Sequence, residues 1–358
     1  LHQVRYLWYT SSGGPWPSPA EDAWSVLPGV YDVVYHRGYS NASAAVGENP
    51  AGDKLPNGYR VLQSGLVVGS GANQIAVDVP VSNIDVAVTV DGLPLPSGAN
   101  PNIDTMTVYL RAADTGALHQ VRHLWYTSSG GPWPSPATDA FSVVPGTYDV
   151  VYRRGYSSAN AVVSENPDGD KLPNGYRVLQ TGLHVAPGSS TVNVDVRTAR
   201  IDAVNVTVGG LPLPSGGNPS SSTMNLYLRA KDTGALHLVR HLWYTSSGGP
   251  WPATPAKAWS LLPGEYEVVY RRDWSSSYDE VSANPAGDKL PSGYRVIVPS
   301  VTLKTGSNTL DIDVPVATID AVDVKLDGAA LPVGSSSSSD TLSVYLRAHD
   351  TGVLHRVR

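Results

Sequence analysis

The sequence predicts an all-β fold of tandem β-sandwich repeats, each about 118 residues long with about seven strands. Three observations predict it. Long strings recur verbatim at one spacing, the mark of a repeat architecture. Apolar and polar residues alternate with period two, with no helical period. Gly (35) and Pro (29) are frequent in a chain of 358 residues, which calls for many turns and few long helices.

The string LWYTSSGGPWP stands at 7–17, 124–134 and 242–252, and YLRA at 109–112, 227–230 and 345–348. Leu1, Leu118, Leu236 and Leu354 head matching segments, in steps of 117, 118 and 118 residues. The odd residue falls where IDVAVTV (84–90) meets IDAVNVTV (201–208). Residues 354–358 open a fourth copy, so the expectation is a piece of a continuous array. Units are expected to join where two alternating runs meet across about four residues. This gives the back of one repeat at 1–83, complete repeats at 84–200 and 201–318, and the front of another at 319–358.

Within 84–200, strands are expected at 85–91, 105–112, 118–126, 140–144, 147–153, 176–185 and 191–196. Asp114-Thr115-Gly116 turns one strand into the next, because Gly accepts positive φ. Alternation breaks near Arg122, which points to a bulge. Pro28-Gly29, Pro145-Gly146 and Pro263-Gly264 are expected to be structural turns between successive strands.

The runs SVLPGVYDVVY (25–35), SVVPGTYDVVY (142–152) and SLLPGEYEVVY (260–270) carry a resemblance. Their strand, Pro-Gly and Tyr-led strand resemble carboxypeptidase regulatory-like, transthyretin-like and immunoglobulin-like domains of bacterial surface proteins. The resemblance covers about 11 residues per repeat plus strand order. It implies an immunoglobulin-like sandwich and says little about function.

Composition excludes several kinds of chemistry. With no Cys there is no disulfide, thiolate or Cys-bound zinc. A net charge of -6 offers no footprint for nucleic acid, and no apolar run is long enough to span a membrane. Asp-Thr-Gly at 114–116, 232–234 and 350–352 resembles the aspartic-protease triplet, but its polar surroundings fit an exposed turn. ENPAGDKLP (48–56), ENPDGDKLP (165–173) and NPAGDKLP (284–291) keep one shared carboxylate, Asp53, Asp170 or Asp288, too few for calcium. His2, His119, His237 and His355 are expected on solvent-facing strands or beside Asp and Arg. An isopeptide bond from Lys54, Lys171 or Lys289 is not expected, because these lysines lie in polar loops. The expectation is no catalytic residue, no cofactor and no metal.

The remaining candidates are Trp8, Tyr9 and Trp16, with Trp125, Tyr126, Trp133, Trp243, Tyr244 and Trp251. They surround a Ser-Gly-Gly-Pro turn. Either the second Trp lids its own sandwich, or it packs on a neighbouring repeat, another chain or a sugar ring. The expected function is structural: an extracellular filament, fibre or surface stalk that self-associates through neighbouring repeats or identical chains. A repetitive adhesin that binds glycans through the Trp/Tyr loops is the second reading. A spacer in a large secreted enzyme is the third.

Overall fold

The computed structural model describes residues 25–38, 55–95, 106–124, 141–155, 162–163, 166, 172–213, 223–243, 259–272, 281, 290–331 and 343–357. Those residues form strands and turns and contain no helix. The first strands are β1 (Gly29–Arg37) and β2 (Gly58–Val68). Next come β3 (Ser82–Val90), β4 (Leu93–Pro94), β5 (Met106–Ala112), β6 (Leu118–Leu124) and β7 (Phe141–Val143). They are followed by β8 (Gly146–Arg154), β9 (Val162–Val163), β10 (Gly175–Val185) and β11 (Gly188–Val196). The same order returns in β12 (Ala199–Val208), β13 (Leu211–Pro212), β14 (Thr223–Ala230), β15 (Leu236–Trp243) and β16 (Trp259–Leu261). It continues through β17 (Gly264–Arg272), β18 (Gly293–Leu303) and β19 (Gly306–Val314). The last strands are β20 (Lys325–Leu326), β21 (Ala329–Ala330), β22 (Tyr345–Arg347) and β23 (Leu354–Arg356).

Apart from β9, the strands between 82 and 196 make two sheets. One runs β10-β8-β5-β6, all antiparallel. In the other, β3 pairs with β4 and β7 antiparallel and with β11 in parallel. Period-two alternation gives each strand an apolar face, and the two faces share one core. Ile84, Val86, Val192 and Val194 enter it from one sheet; Met106, Val108, Leu110, Tyr148 and Tyr152 enter from the other. Residues 199–314 repeat the plan, with β18-β17-β14-β15 facing β12, β13, β16 and β19. Tyr109 and Val151, on the outer face of the first sheet, are also buried, and Tyr109 lies under the Arg153 guanidinium at 5.2 Å.

The odd residue in the repeat period has a local cause. β3 pairs with β11 in unbroken register, while β12 slips against β19 between Ile201 and Ala203. Asp202 has no rung on β19, and the extra residue is absorbed there as a bulge that leaves Val204 and Val208 on the core face. The break near Arg122 is also a bulge, because Val108 faces Arg122 and Tyr109 faces Gln120.

Residues 73–80 match β11 but form no strand, and the sequence holds no copy of β3 ahead of them. Ile75 and Val77 are exposed there. At the other end, residues 319–324 match the start of β12 and likewise form no strand.

Candidate repeat-to-repeat interface

The site begins with the string Asn-Gly-Tyr-Arg at 57–60 and 174–177, and Ser-Gly-Tyr-Arg at 292–295. In each copy the preceding strand holds the approach to it. The Tyr152 hydroxyl donates to Pro173 O at 2.7 Å, and Arg154 Nη1 donates to Leu172 O at 2.7 Å and Asn174 Oδ1 at 2.8 Å. Tyr35 and Arg37 do the same for Pro56, Leu55 and Asn57. Arg154 and Arg272 are wholly buried, so these charge-assisted bonds lie out of water, where they are strongest.

That segment docks on the next copy. Arg60 Nε lies 2.9 Å from the Asp114 carboxylate, which also accepts the Val61 amide at 2.9 Å. The Thr115 hydroxyl donates to Tyr59 O at 2.7 Å. The contacts recur as Arg177 with Asp232 at 2.7 Å and Arg295 with Asp350 at 2.8 Å. Thr233 and Thr351 donate to Tyr176 O and Tyr294 O. The Arg60 guanidinium also stacks 4.5 Å over the Tyr148 ring, and Arg177 stacks 4.6 Å over Tyr266. Both arginine side chains are 8% exposed. Arg295 is 53% exposed, and no copy of the Pro-Gly-x-Tyr stretch follows it in the sequence.

Pro145-Gly146 and Pro263-Gly264 therefore do more than turn the chain. Gly146 sits at φ 151° and Gly264 at φ 140°. A Cβ on Gly146 would stand 2.1 Å from Arg60 Nη2, and one on Gly264 would stand 2.2 Å from Arg177 Nη2. Gly29, in the Pro28-Gly29 copy, meets only the ring of Tyr31 among the described residues.

The residue before each Pro-Gly is the apolar part of the joint. Leu262 is 0% exposed and belongs to the core formed by residues 82–196. Val144 is 2% exposed and faces Gly58. Leu27, with no preceding copy in the sequence, is 82% exposed. Two further threads cross the second joint: β9 pairs in parallel with β15, and the Ser260 amide donates to Asn166 Oδ1.

Of the two sequence expectations for the histidines, the solvent-facing one fails, while His119 does lie beside Arg60 and Asp114 and His237 beside Arg177. His119 and His237 are buried at the joints, not solvent-facing. A Cβ on Gly58 would come within 2.9 Å of the His119 ring, and the ring meets Tyr148 edge-on at 5.6 Å. Neither ring nitrogen of His237 has a hydrogen-bond partner among the described residues. Burial, reinforced by the Arg60 charge, pushes His119 down to about 4, with the Asn57 backbone and Asp114 pulling partly back. Burial and Arg177 push His237 down to about 3. A free imidazole titrates near ~6.5. The separated state thus binds a proton that the docked state refuses. Joint stability is full above about pH 6.5, falls as pH drops below that value, and levels off once the docked rings also protonate, near 4 and 3. Melting curves should show lower stability at pH 4.5 than at pH 7.5. The slope should flatten in a His119→Gln, His237→Gln variant; an unchanged slope would place the titrating groups elsewhere.

Asp114-Thr115-Gly116 is a turn, with Gly116 at φ 71°, but its carboxylate has a job that the turn reading did not give it. A surface pair contributes about 0–1 kcal/mol, while stripping one partner from a buried pair costs about 3–5. Arg60 is buried and Asp114 is 25% exposed, between the two cases. Asp114→Asn should loosen this joint by about 1–2 kcal/mol. Limited proteolysis should show earlier cleavage between the repeats, with the β5–β6 turn preserved.

Trp8, Tyr9, Trp16, Trp125, Tyr126, Trp133, Tyr244 and Trp251 lie outside the described residues, and Trp243 is described only as the last residue of β15. Among the described residues no group of three or more His, Asp or Glu side chains is placed to hold a metal ion. No helix of the structure is long and apolar enough to cross a membrane.

No known protein family and no curated protein matches the chain. Among solved structures, it is similar to a leucine-rich repeat protein from Bacteroides thetaiotaomicron at 14% identity and TM-score 0.22, over 66% of this chain and 26% of that one. It is similar to the Bacillus anthracis TIE protein at 12% identity and TM-score 0.17, over 70% of this chain and 37% of that one. It is similar to a streptococcal ancillary pilin at 12% identity and TM-score 0.23, over 81% and 76% of the two chains. Scores of this size do not establish a common fold.

Proposed function

We propose that the chain is a structural, non-enzymatic segment of an extracellular filament or surface stalk, built from tandem immunoglobulin-like β-sandwiches. Its units are the stretches 84–200 and 201–318, flanked by part-repeats at 1–83 and 319–358. The observation that carries the reading is the lock of Arg, Asp and Thr recurring at Arg60–Asp114, Arg177–Asp232 and Arg295–Asp350. A flexible string of beads needs no such lock. Repeats that must keep one rotation and one rise do, and surfaces repeated at a fixed interval favour head-to-tail contacts that extend into fibres. The link between β11 and β12 is only Arg197-Thr198, which adds stiffness.

Electron microscopy of the purified protein tests this. The expected particle is a straight or evenly curved rod stepping roughly 30–45 Å per repeat, the length of a seven-residue strand plus its end loops. Repeats set at random angles would reject the reading. So would peptidase activity that Asp114→Asn abolishes.

A further inference from the structure

We infer that each repeat is a load-bearing unit, with its first and last strands forming a clamp that is sheared when the array is pulled along its length. The inference rests on the array reading above. Ser82 pairs with Gly188 and Val90 with Val196, so β3 and β11 run parallel over nine matched positions. The chain enters the repeat at Ser82 and leaves it at Val196, at opposite ends of that ladder. Tension along the chain therefore draws the two strands past each other. All rungs of a sheared ladder carry the load together, whereas a peeled ladder gives way one rung at a time. The other sheet, β10-β8-β5-β6, lies off this load path. The next repeat is built alike, with Ala199–Val208 parallel to Gly306–Val314.

Side chains fasten the same two strands. The Thr89 hydroxyl and the Gly92 amide both donate to Asp195 Oδ1 at 2.8 Å. Thr198 N donates to Asp91 Oδ1 at 2.9 Å, and Ser82 Oγ donates to Ala186 O. In the next repeat Thr207 and Gly210 hold Asp313 at 2.7 and 2.8 Å, and Asn205 holds Asp311 at 2.7 Å. On the inner face Ile84, Val86, Val192 and Val194 are buried, which keeps water from replacing the rungs as they stretch.

Single-molecule pulling on the full chain tests the inference by direction. The sequence has no Cys, so engineered cysteines give unique handles. In one arm the load is applied through handles joined to the two chain ends. In the other it is applied through Asp85→Cys and Ser189→Cys, exposed positions near one end of the ladder, which peels it. Asp202→Cys with Ser307→Cys repeats the comparison in the next repeat should the first variant fail to melt like the parent. End-loaded repeats should rupture at a force at least about twofold above peeled ones, because forced unfolding follows the barrier along the pulled direction. Each end-loaded event should release about 115 residues, roughly 400 Å of extended chain. Equal or lower force in the end-loaded arm overturns the inference. A rod in the microscope with that mechanical result would leave the array reading standing and remove the load-bearing one.

Discussion

Leu262→Ala should destabilise the repeat that precedes the residue, not the one that contains it. Leu262 lies in the stretch between β16 and β17, yet it is fully buried within the core of residues 82–196. Its Cδ1 stands 3.0 Å from where a Cβ on Gly175 would be, at the mouth of that core. Truncating a buried leucine costs about 2–5 kcal/mol, from lost transfer energy and the cavity left behind. Hydrogen exchange should therefore rise in β8 and β10, across the joint from the substitution. Repeat arrays share stability through such neighbour terms, so the two unfolding transitions should also draw apart. Leu27→Ala is the built-in control. It changes the same position of the motif at a copy with no earlier one within these 358 residues, and in this chain its cost should stay within about 0.5 kcal/mol. Equal effects at the two positions would mean that Leu262 serves its own repeat alone.

The contrast between Leu27 and Leu262 also shows what the sequence could and could not disclose. Strand positions were readable because period-two alternation is a local signal, and the observed strands follow it from 82 to 196. The bulge near Arg122 was readable as a break in that alternation; the register shifts of β10 against β8 were not. What each polar group grips was not. Asp114 reads as a turn residue because turn chemistry is local, while its partner Arg60 is 54 residues away. His119 reads as an outward strand residue because alternation cannot reveal that another repeat covers that face. One signal was present and unused: Asn-Gly-Tyr-Arg recurs verbatim, although its Tyr-Arg pair is larger and more polar than strand geometry requires. A repeated Arg opening a strand points to a repeated acceptor, and the repeated Asp of Asp-Thr-Gly was available. The Trp-bearing loops, for which the sequence leaves a lid on their own sandwich and an outward contact both open, lie outside the described residues.

Gly146→Val should be the most damaging single change at the first joint, for two separable reasons. The first is backbone strain: Gly146 holds φ 151°, a conformation that costs other residues about 1–3 kcal/mol. The second is the arginine. A Cβ would lie 2.1 Å from Arg60 Nη2 and 2.8 Å from its Cζ, so the guanidinium must leave. With it go the stack on Tyr148, about 0.5–2 kcal/mol, and the geometry of the pair with Asp114. The expected loss is about 2–4 kcal/mol, measured by denaturant unfolding. A double-mutant cycle separates the two parts. In an Arg60→Ala background the slot is already empty, and Gly146→Val should cost only the backbone part. If its cost is the same in both backgrounds, the glycine is there for the turn alone and the arginine slot contributes nothing. A smaller cost with Arg60 absent would mean that the Pro-Gly of one repeat is kept open for the arginine of the repeat before it.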